Sequence, residues 1–153
     1  MAETRIALRA MRHADTDAVL DLWVASWQAA YPAIDFTARR EWMRERLAAL
    51  AQAGAHRIVA DDGTRLVGLV TIHPQARYLD QIAVAPDRQR AGIAGALLAE
   101  AKRRAPRGFS LHVNKDNARA IAFYRRHGFA ITGEDVNARS VAPTCLMAWA
   151  PSE

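Results

Sequence analysis

Cysteine is almost missing from this chain. A single residue, Cys145, occurs in 153, which excludes an internal disulfide and a cysteine-rich metal centre and leads us to expect a reducing, cytoplasmic setting. No apolar run approaches the roughly 20 residues that a membrane helix needs, and the first residues lack a secretory apolar core, so no membrane partner is expected. The basic residues are not gathered into a run. The formal net charge is +5 and the isoelectric point about 10.1, yet the arginines are scattered from Arg5 to Arg139 and no familiar nucleic-acid motif is present, so no nucleic-acid partner is expected. His56, His73 and His127 lack metal-ligand spacing, so no metal is expected. Repeats, low-complexity stretches and linkers are also missing. At 51% hydrophobic, residues 1–153 suit one domain with a sizeable core.

What is present centres on residues 81–98. Gln81-Ile82-Ala83-Val84 is a short apolar run stopped by Pro86, as expected of a buried strand. Leu97, Leu98, Ala101 and Lys102 then follow at helical spacing. Gln89, Arg90, Ala91, Gly92, Ile93, Ala94 and Gly95 therefore form a small-residue loop at a helix start, where unpaired N–H groups and the positive dipole end favour anions. Glycine and alanine allow close approach to the backbone, and Arg88 and Arg90 add positive charge. The loop lacks the Gly-Lys-Ser/Thr ending of a Walker loop and the G-x-G-x-x-G spacing of a dinucleotide site. Taken alone, it fits a phosphate cradle or an ordinary tight turn.

A second cluster follows. Phe109-Ser110-Leu111-His112-Val113 has a strand pattern, and the segment from Asn117 to Phe129 reads as a helix capped by Asn117 and closed by Gly128. Upstream, a strand at 6–9, helices at 16–30 and 37–53, and strands at 57–60 and 66–72 are predicted, with a hairpin turn at Asp61-Asp62-Gly63-Thr64 between the last two. Residues 78–84 form the strand before the loop and 92–104 the loop's helix, while strands at 129–133 and 145–149 close the chain.

Gln89-x-x-Gly92-x-Ala94 resembles the acetyl-CoA motif of the GNAT N-acetyltransferase family, and Asn117-x-x-Ala120-x-x-Phe123-Tyr124-x-x-x-Gly128-Phe129 resembles its second signature. The resemblance runs in order from about Ala7 to Trp149, and the element order matches. It implies an α/β fold with a mixed, mostly antiparallel sheet, splayed between its fourth and fifth strands and carrying helices on both faces. It also implies an N-acetyltransferase that uses acetyl-CoA as co-substrate and transfers acetyl by direct attack of an amine; the alternatives are transfer of another acyl group and a non-catalytic acyl-CoA-binding module. By this resemblance, main-chain groups of Ile82, Ala83 and Val84 hold the acetyl-pantetheine arm, residues Gln89 to Gly95 hold the pyrophosphate, and Asn117 contacts CoA or caps its helix. Tyr124 is the candidate acid for the leaving thiolate. His112, Asp80 and Tyr78 are the candidates for the base, Asp80 and Tyr78 lying on the same alternating face of their strand, and Tyr78 is also a candidate substrate contact. A water chain is the alternative base.

Trp23, Trp27 and Tyr31 share one helical face, and Trp27 and Tyr31 are candidates for an amine pocket. Asp35, Glu41 and Glu134 are candidate ammonium partners, and Arg139 a candidate partner for a substrate carboxylate. Cys145 lies in an apolar strand pattern with no neighbouring histidine, which argues against a covalent relay. A homodimer is a candidate assembly.

Overall fold

The computed structural model describes residues 5–89, 91–137 and 141–152. Strand β1 (Ala7–Ala10) leads through a 3-10 turn (His13–Asp15) into helix α1 (Thr16–Ala30). A second 3-10 turn (Thr37–Arg39) opens helix α2 (Arg40–Gln52). Strands β2 (His56–Asp61), β3 (Leu66–His73) and β4 (Tyr78–Val84) follow, then a 3-10 turn (Pro86–Arg88) and helix α3 (Ile93–Arg104). Strand β5 (Phe109–Asn114), helix α4 (Ala118–Arg126), and strands β6 (Ala130–Val136) and β7 (Pro143–Trp149) complete the order. No helix among the described residues is long and apolar enough to cross a membrane.

The seven strands form one sheet in the order β1-β2-β3-β4-β5-β7-β6. Every neighbouring pair is antiparallel except β4 and β5, which are joined by the α3 crossover and run parallel. That pair meets only at Tyr78 and Ser110. Arg77 pins the meeting point: its carbonyl accepts from Ser110 N at 3.0 Å, and its guanidinium donates to the carbonyls of Gly108 (3.1 Å) and Arg107 (3.0 Å). Beyond this apex the two strands diverge and leave backbone groups free of a ladder partner.

Helices cover both faces. β3 is buried along nearly its whole length, as a central strand between two helical layers must be. On one face α3 lies so close that a Cβ on Gly68 would stand 2.8 Å from Leu97 Cδ1 and 3.0 Å from Ile93 Cγ2. On the other face α1 buries Val19, Leu20 and Trp23, and Trp23 Nε1 donates to Gln81 Oε1 at 3.1 Å.

β4 carries a bulge. Thr71 pairs with Gln81 but Ile72 with Leu79, so Asp80 is the extra residue. The Thr71 hydroxyl accepts from Gln81 N at 2.9 Å, satisfying an amide at the interrupted ladder. As a result Asp80 and Gln81, consecutive in sequence, both turn toward α1 and α2.

The expected helix at 37–53 begins with a 3-10 turn, and the last hairpin is longer than expected, reaching Val136 and starting again at Pro143. Asp15 does not cap α1 with its side chain. Its carboxylate instead accepts from Arg9 Nη1 at 2.8 Å and from Arg12 N at 2.7 Å.

Candidate active site

A cavity of about 790 Å³ opens where β4 and β5 part. The end of α1 (Ala29, Ala30, Tyr31) and the end of β4 (Ile82, Ala83, Val84) form one side. Gln89, Gly92, Ala94 and Gly95 form the floor, and Asp116, Asn117, Arg119, Phe123, Tyr124, Arg126 and His127 close it from the β5–α4 loop and α4.

The floor is the start of α3. Gly92 is its N-cap with φ of 77°, and no side chain caps the helix. The first amide to return into the helix is Ala96 N, to Gly92 O at 3.1 Å, so the N–H groups of residues 92–95 have no intrahelical acceptor. A 12-residue helix thus points an unpaired, positive end at the cavity. Gly92 is required by its left-handed backbone rather than by crowding, because a Cβ there would meet nothing within 4 Å. Arg88, expected to supply charge, is instead paired with the largely buried Asp62 at 3.0 Å. Arg119 and Arg126 line the cavity without a carboxylate partner among the described residues and take over that part. An anionic ligand fits this end.

Ile93 turns its side chain into the core (1% exposed), so its contribution to a ligand is its main-chain N–H. Ala91 is exposed and does not line the cavity; Arg90 and Arg139 lie outside the described residues. Asn117 lines the cavity and also caps α4, accepting from Ala120 N at 3.1 Å.

Tyr124 faces the cavity from α4 while only 7% exposed. Phe123 and Phe129 stand edge-on to its ring at 5.3 and 5.6 Å. Its hydroxyl has no hydrogen-bond partner among the described residues. Burial pushes the phenol's pKa well above its ordinary value.

The aromatic stripe on α1 divides. Trp23 is core, 4% exposed, packed edge-on to Phe36 at 5.9 Å. Trp27 stacks on Tyr31 at 5.8 Å. Tyr31 reaches the cavity, where its hydroxyl donates to Asp116 Oδ1 at 2.9 Å and accepts from Asn114 Nδ2 at 3.1 Å. Gln28 holds the turn that follows, donating to Ile34 O at 2.5 Å and accepting from Phe36 N at 3.1 Å.

His112, Tyr78 and Asp80 are not part of the cavity lining. They gather on the α1 and α2 side, beside the apex of the splay. The Tyr78 hydroxyl lies 2.5 Å from His112 Nδ1, and His112 Nε2 lies 3.5 Å from Asp135 Oδ2 on β6. Burial, then the nearby Asp80 carboxylate, pushes the Tyr78 phenol up to about 12. Asp80 is clasped by the Arg46 guanidinium, with Nε at 3.1 Å and Nη2 on the other oxygen, and also accepts from Gln81 Nε2 at 3.0 Å. Glu134 pairs with Lys115 at 2.6 Å and Glu41 with Arg44 at 3.2 Å, and Asp35 accepts from Ala38 N at 3.3 Å. Cys145 is buried.

Arg46, Asp116, Asp135 and His127 were not foreseen. Each is an ordinary polar residue in its local pattern and acquires its place only through contacts with distant segments.

A sequence profile of the acetyltransferase (GNAT) family matches residues 16–129. Among curated proteins, the peptidyl-lysine N-acetyltransferase YiaC of Escherichia coli (strain K12) is 29% identical over 145 residues, covering 93% of this chain and 95% of that protein. The peptidyl-lysine N-acetyltransferase YjaB of Salmonella typhimurium is 26% identical over 128 residues, covering 84% and 86%. Among solved structures, the PaiA N-acetyltransferase of Thermoplasma acidophilum in complex with coenzyme A superposes with a TM-score of 0.80 at 19% identity, covering 96% of this chain and 99% of that one.

Proposed function

Because the chain belongs to the acetyltransferase (GNAT) family, we propose that it transfers the acetyl group of acetyl-CoA directly to the side-chain amine of a lysine in a peptide or protein. The observation that carries the transfer is the uncapped start of α3, which shares one cavity with the hydroxyl of the largely buried Tyr124, unpartnered among the described residues. The choice of lysine rests on the peptidyl-lysine acetyltransferases that match nearly the whole chain.

In this reading the amides of residues 92–95, with Gln89, Arg119 and Arg126, hold the pyrophosphate of the co-substrate. Main-chain groups of Ile82 and Val84, which face the splay, hold the pantetheine arm, and one N–H polarises the thioester carbonyl; Ala83, expected to join them, faces β3 in the ladder opposite Leu69. Such a donor is worth about 3–4 kcal/mol when charge develops on the oxygen.

The amine arrives as an ammonium ion and must lose a proton before its nitrogen can attack. Tyr78 stays protonated at neutral pH, and in the tautomer we assign its hydroxyl donates to His112 Nδ1, which leaves the Nε2–H toward Asp135. His112 therefore has no free lone pair for the substrate. Tyr78 accepts the ammonium proton as its own proton passes to His112, and Asp135 stabilises the imidazolium that results. Asp80, with both oxygens held by Arg46, orients this side rather than acting as the base. The C–N bond forms, the nitrogen of the tetrahedral intermediate gives up its second proton to water, the C–S bond breaks, and Tyr124 gives its proton to the departing thiolate. Both residues then re-equilibrate with solvent.

The test is thiol release by the purified chain with acetyl-CoA and a panel holding an N-acetyl-blocked lysine peptide, a peptide with only a free α-amine, and spermidine. Release with the blocked lysine peptide at ten times the rate of the others is the expected result. A preference for either other amine overturns the lysine assignment, and no release with any acceptor while CoA still binds overturns the catalytic one. The subcellular site we propose is the cytoplasm.

A further inference from the structure

His127 follows the last residue of α4 and is half-buried at the cavity edge. Its ring packs on Phe123 with centroids 4.6 Å apart. Its Cε1 and Nε2 lie 3.6 and 3.9 Å from the point where a side chain on Gly95 would begin. Gly95 belongs to the uncapped first turn of α3, so the imidazole edge stands beside the amides that we assign to the pyrophosphate. Neither ring nitrogen has a hydrogen-bond partner among the described residues; only the main chain of His127 is engaged, its carbonyl accepting from Lys102 Nζ at 2.6 Å.

Among the described residues, the charges that act on this ring are all of one sign. Lys102 reaches it from α3, Arg126 from α4, and the dipole of α3 adds its positive end. Partial burial, then Lys102 and Arg126, hold the imidazole below its ordinary pKa. A diphosphate seated on the amides of residues 92–95 reverses the local field.

We propose that His127 is a further ligand of the CoA diphosphate, neutral in the free protein and protonated when the diphosphate is bound, so that CoA binding takes up a proton. This rests on the assignment of the α3 start to the pyrophosphate. It goes further in making the grip on the co-substrate depend on pH: affinity strengthens as pH falls through the histidine range. Each unit by which the bound state holds the proton more tightly is a tenfold gain at low pH.

The test is calorimetric titration of the full chain with dephospho-CoA at neutral pH in two buffers of different ionisation enthalpy. Dephospho-CoA is the probe because the 3′-phosphate of CoA titrates near pH 6 by itself. Wild type should take up about half a proton and His127→Gln close to none, with the variant binding roughly tenfold more weakly at pH 6 and equally at pH 8.5. Equal uptake by the two proteins overturns the proposal while leaving the cradle intact; no binding by wild type overturns the cradle itself. Should the variant fold poorly, the Cε1–H resonance of His127 in wild type decides. Its titration midpoint must rise on binding, and an unchanged midpoint is a refutation.

Discussion

Replacing Tyr124 with phenylalanine removes one hydroxyl and little else. The ring contacts with Phe123 and Phe129 at 5.3 and 5.6 Å are available to either residue. No group among the described residues loses a hydrogen-bond partner, so folding stability should stay within about 0.5 kcal/mol of wild type. The chemistry should not be spared. A positioned proton donor is worth about 10² to 10⁴ in rate, and a thiolate, whose acid has a pKa near 8.5, is a tolerable leaving group even unaided. The lower end is therefore expected, about a hundredfold in kcat, or about 2.7 kcal/mol. The phenol acts while protonated, and burial raises its pKa; its contribution should persist through the neutral range and be lost only in strong base. The assay is single-turnover thiol release at several pH values, with CoA affinity and thermal midpoint measured alongside. A kcat within threefold of wild type, with CoA affinity and midpoint unchanged, would refute the assignment and leave Tyr124 a packing residue.

If Tyr78 and His112 act as one relay, Tyr78→Phe and His112→Ala should each lower kcat/KM by about a hundredfold, and the double variant should be no worse than either; additive losses in the same thiol-release assay would separate them. Gly68→Ala places a methyl 2.8 Å from Leu97 and 3.0 Å from Ile93. We expect a cost of about 1–3 kcal/mol in urea unfolding and, because α3 is pushed outward, weaker CoA binding; an unchanged Kd would mean that the helix does not shift. The Arg9 hydrogen bond holds the Asp15 carboxyl down at about 2, below its reference value of 3.8. Its stabilisation is therefore present above about pH 4 and lost as pH falls through 2. After discounting for solvent, since Arg9 and Asp15 are 25% and 14% exposed, Asp15→Asn should cost about 1 kcal/mol at pH 7. That gap should shrink as pH approaches 2 and close below it in thermal unfolding, and a gap constant with pH would contradict the ion-pair account.

The elements around the co-substrate end were legible because their signals are local. β4 ends two residues before the 3-10 turn that Pro86 opens, α3 begins after a glycine, and α4 begins after an asparagine that caps it. Each of these is written within a few residues by backbone chemistry: a fixed φ, an unpaired amide, a side-chain acceptor. The bulge at Asp80 was not legible, since the residues on either side have ordinary strand character and the interruption is answered by Thr71 on another strand. The same holds for Arg46 on Asp80, Asp135 beside His112, and His127 beside Gly95. These pairings join segments that no local period connects.

That division follows the chemistry of the two reactants. One constant co-substrate can be gripped by main-chain amides, which every sequence possesses, provided that small residues and a helix start present them. An acceptor amine must be met by side chains, which in the proposed reaction come from α1, α2, β4, β5 and β6. The splay permits both, because it opens the sheet where its two faces would otherwise be sealed from each other. Tyr124 approaches from the face of α3 and α4, and Tyr78 and His112 gather on the face of α1 and α2. In the proposed reaction one proton leaves toward His112 on one face and another arrives from Tyr124 on the other. Acid and base thus never compete for a single proton, and neither must change its pKa to suit its partner. Substitutions on the α1 and α2 face can accordingly change the amine accepted while the cradle at residues 92–95 and the hydroxyl of Tyr124 stay as they are.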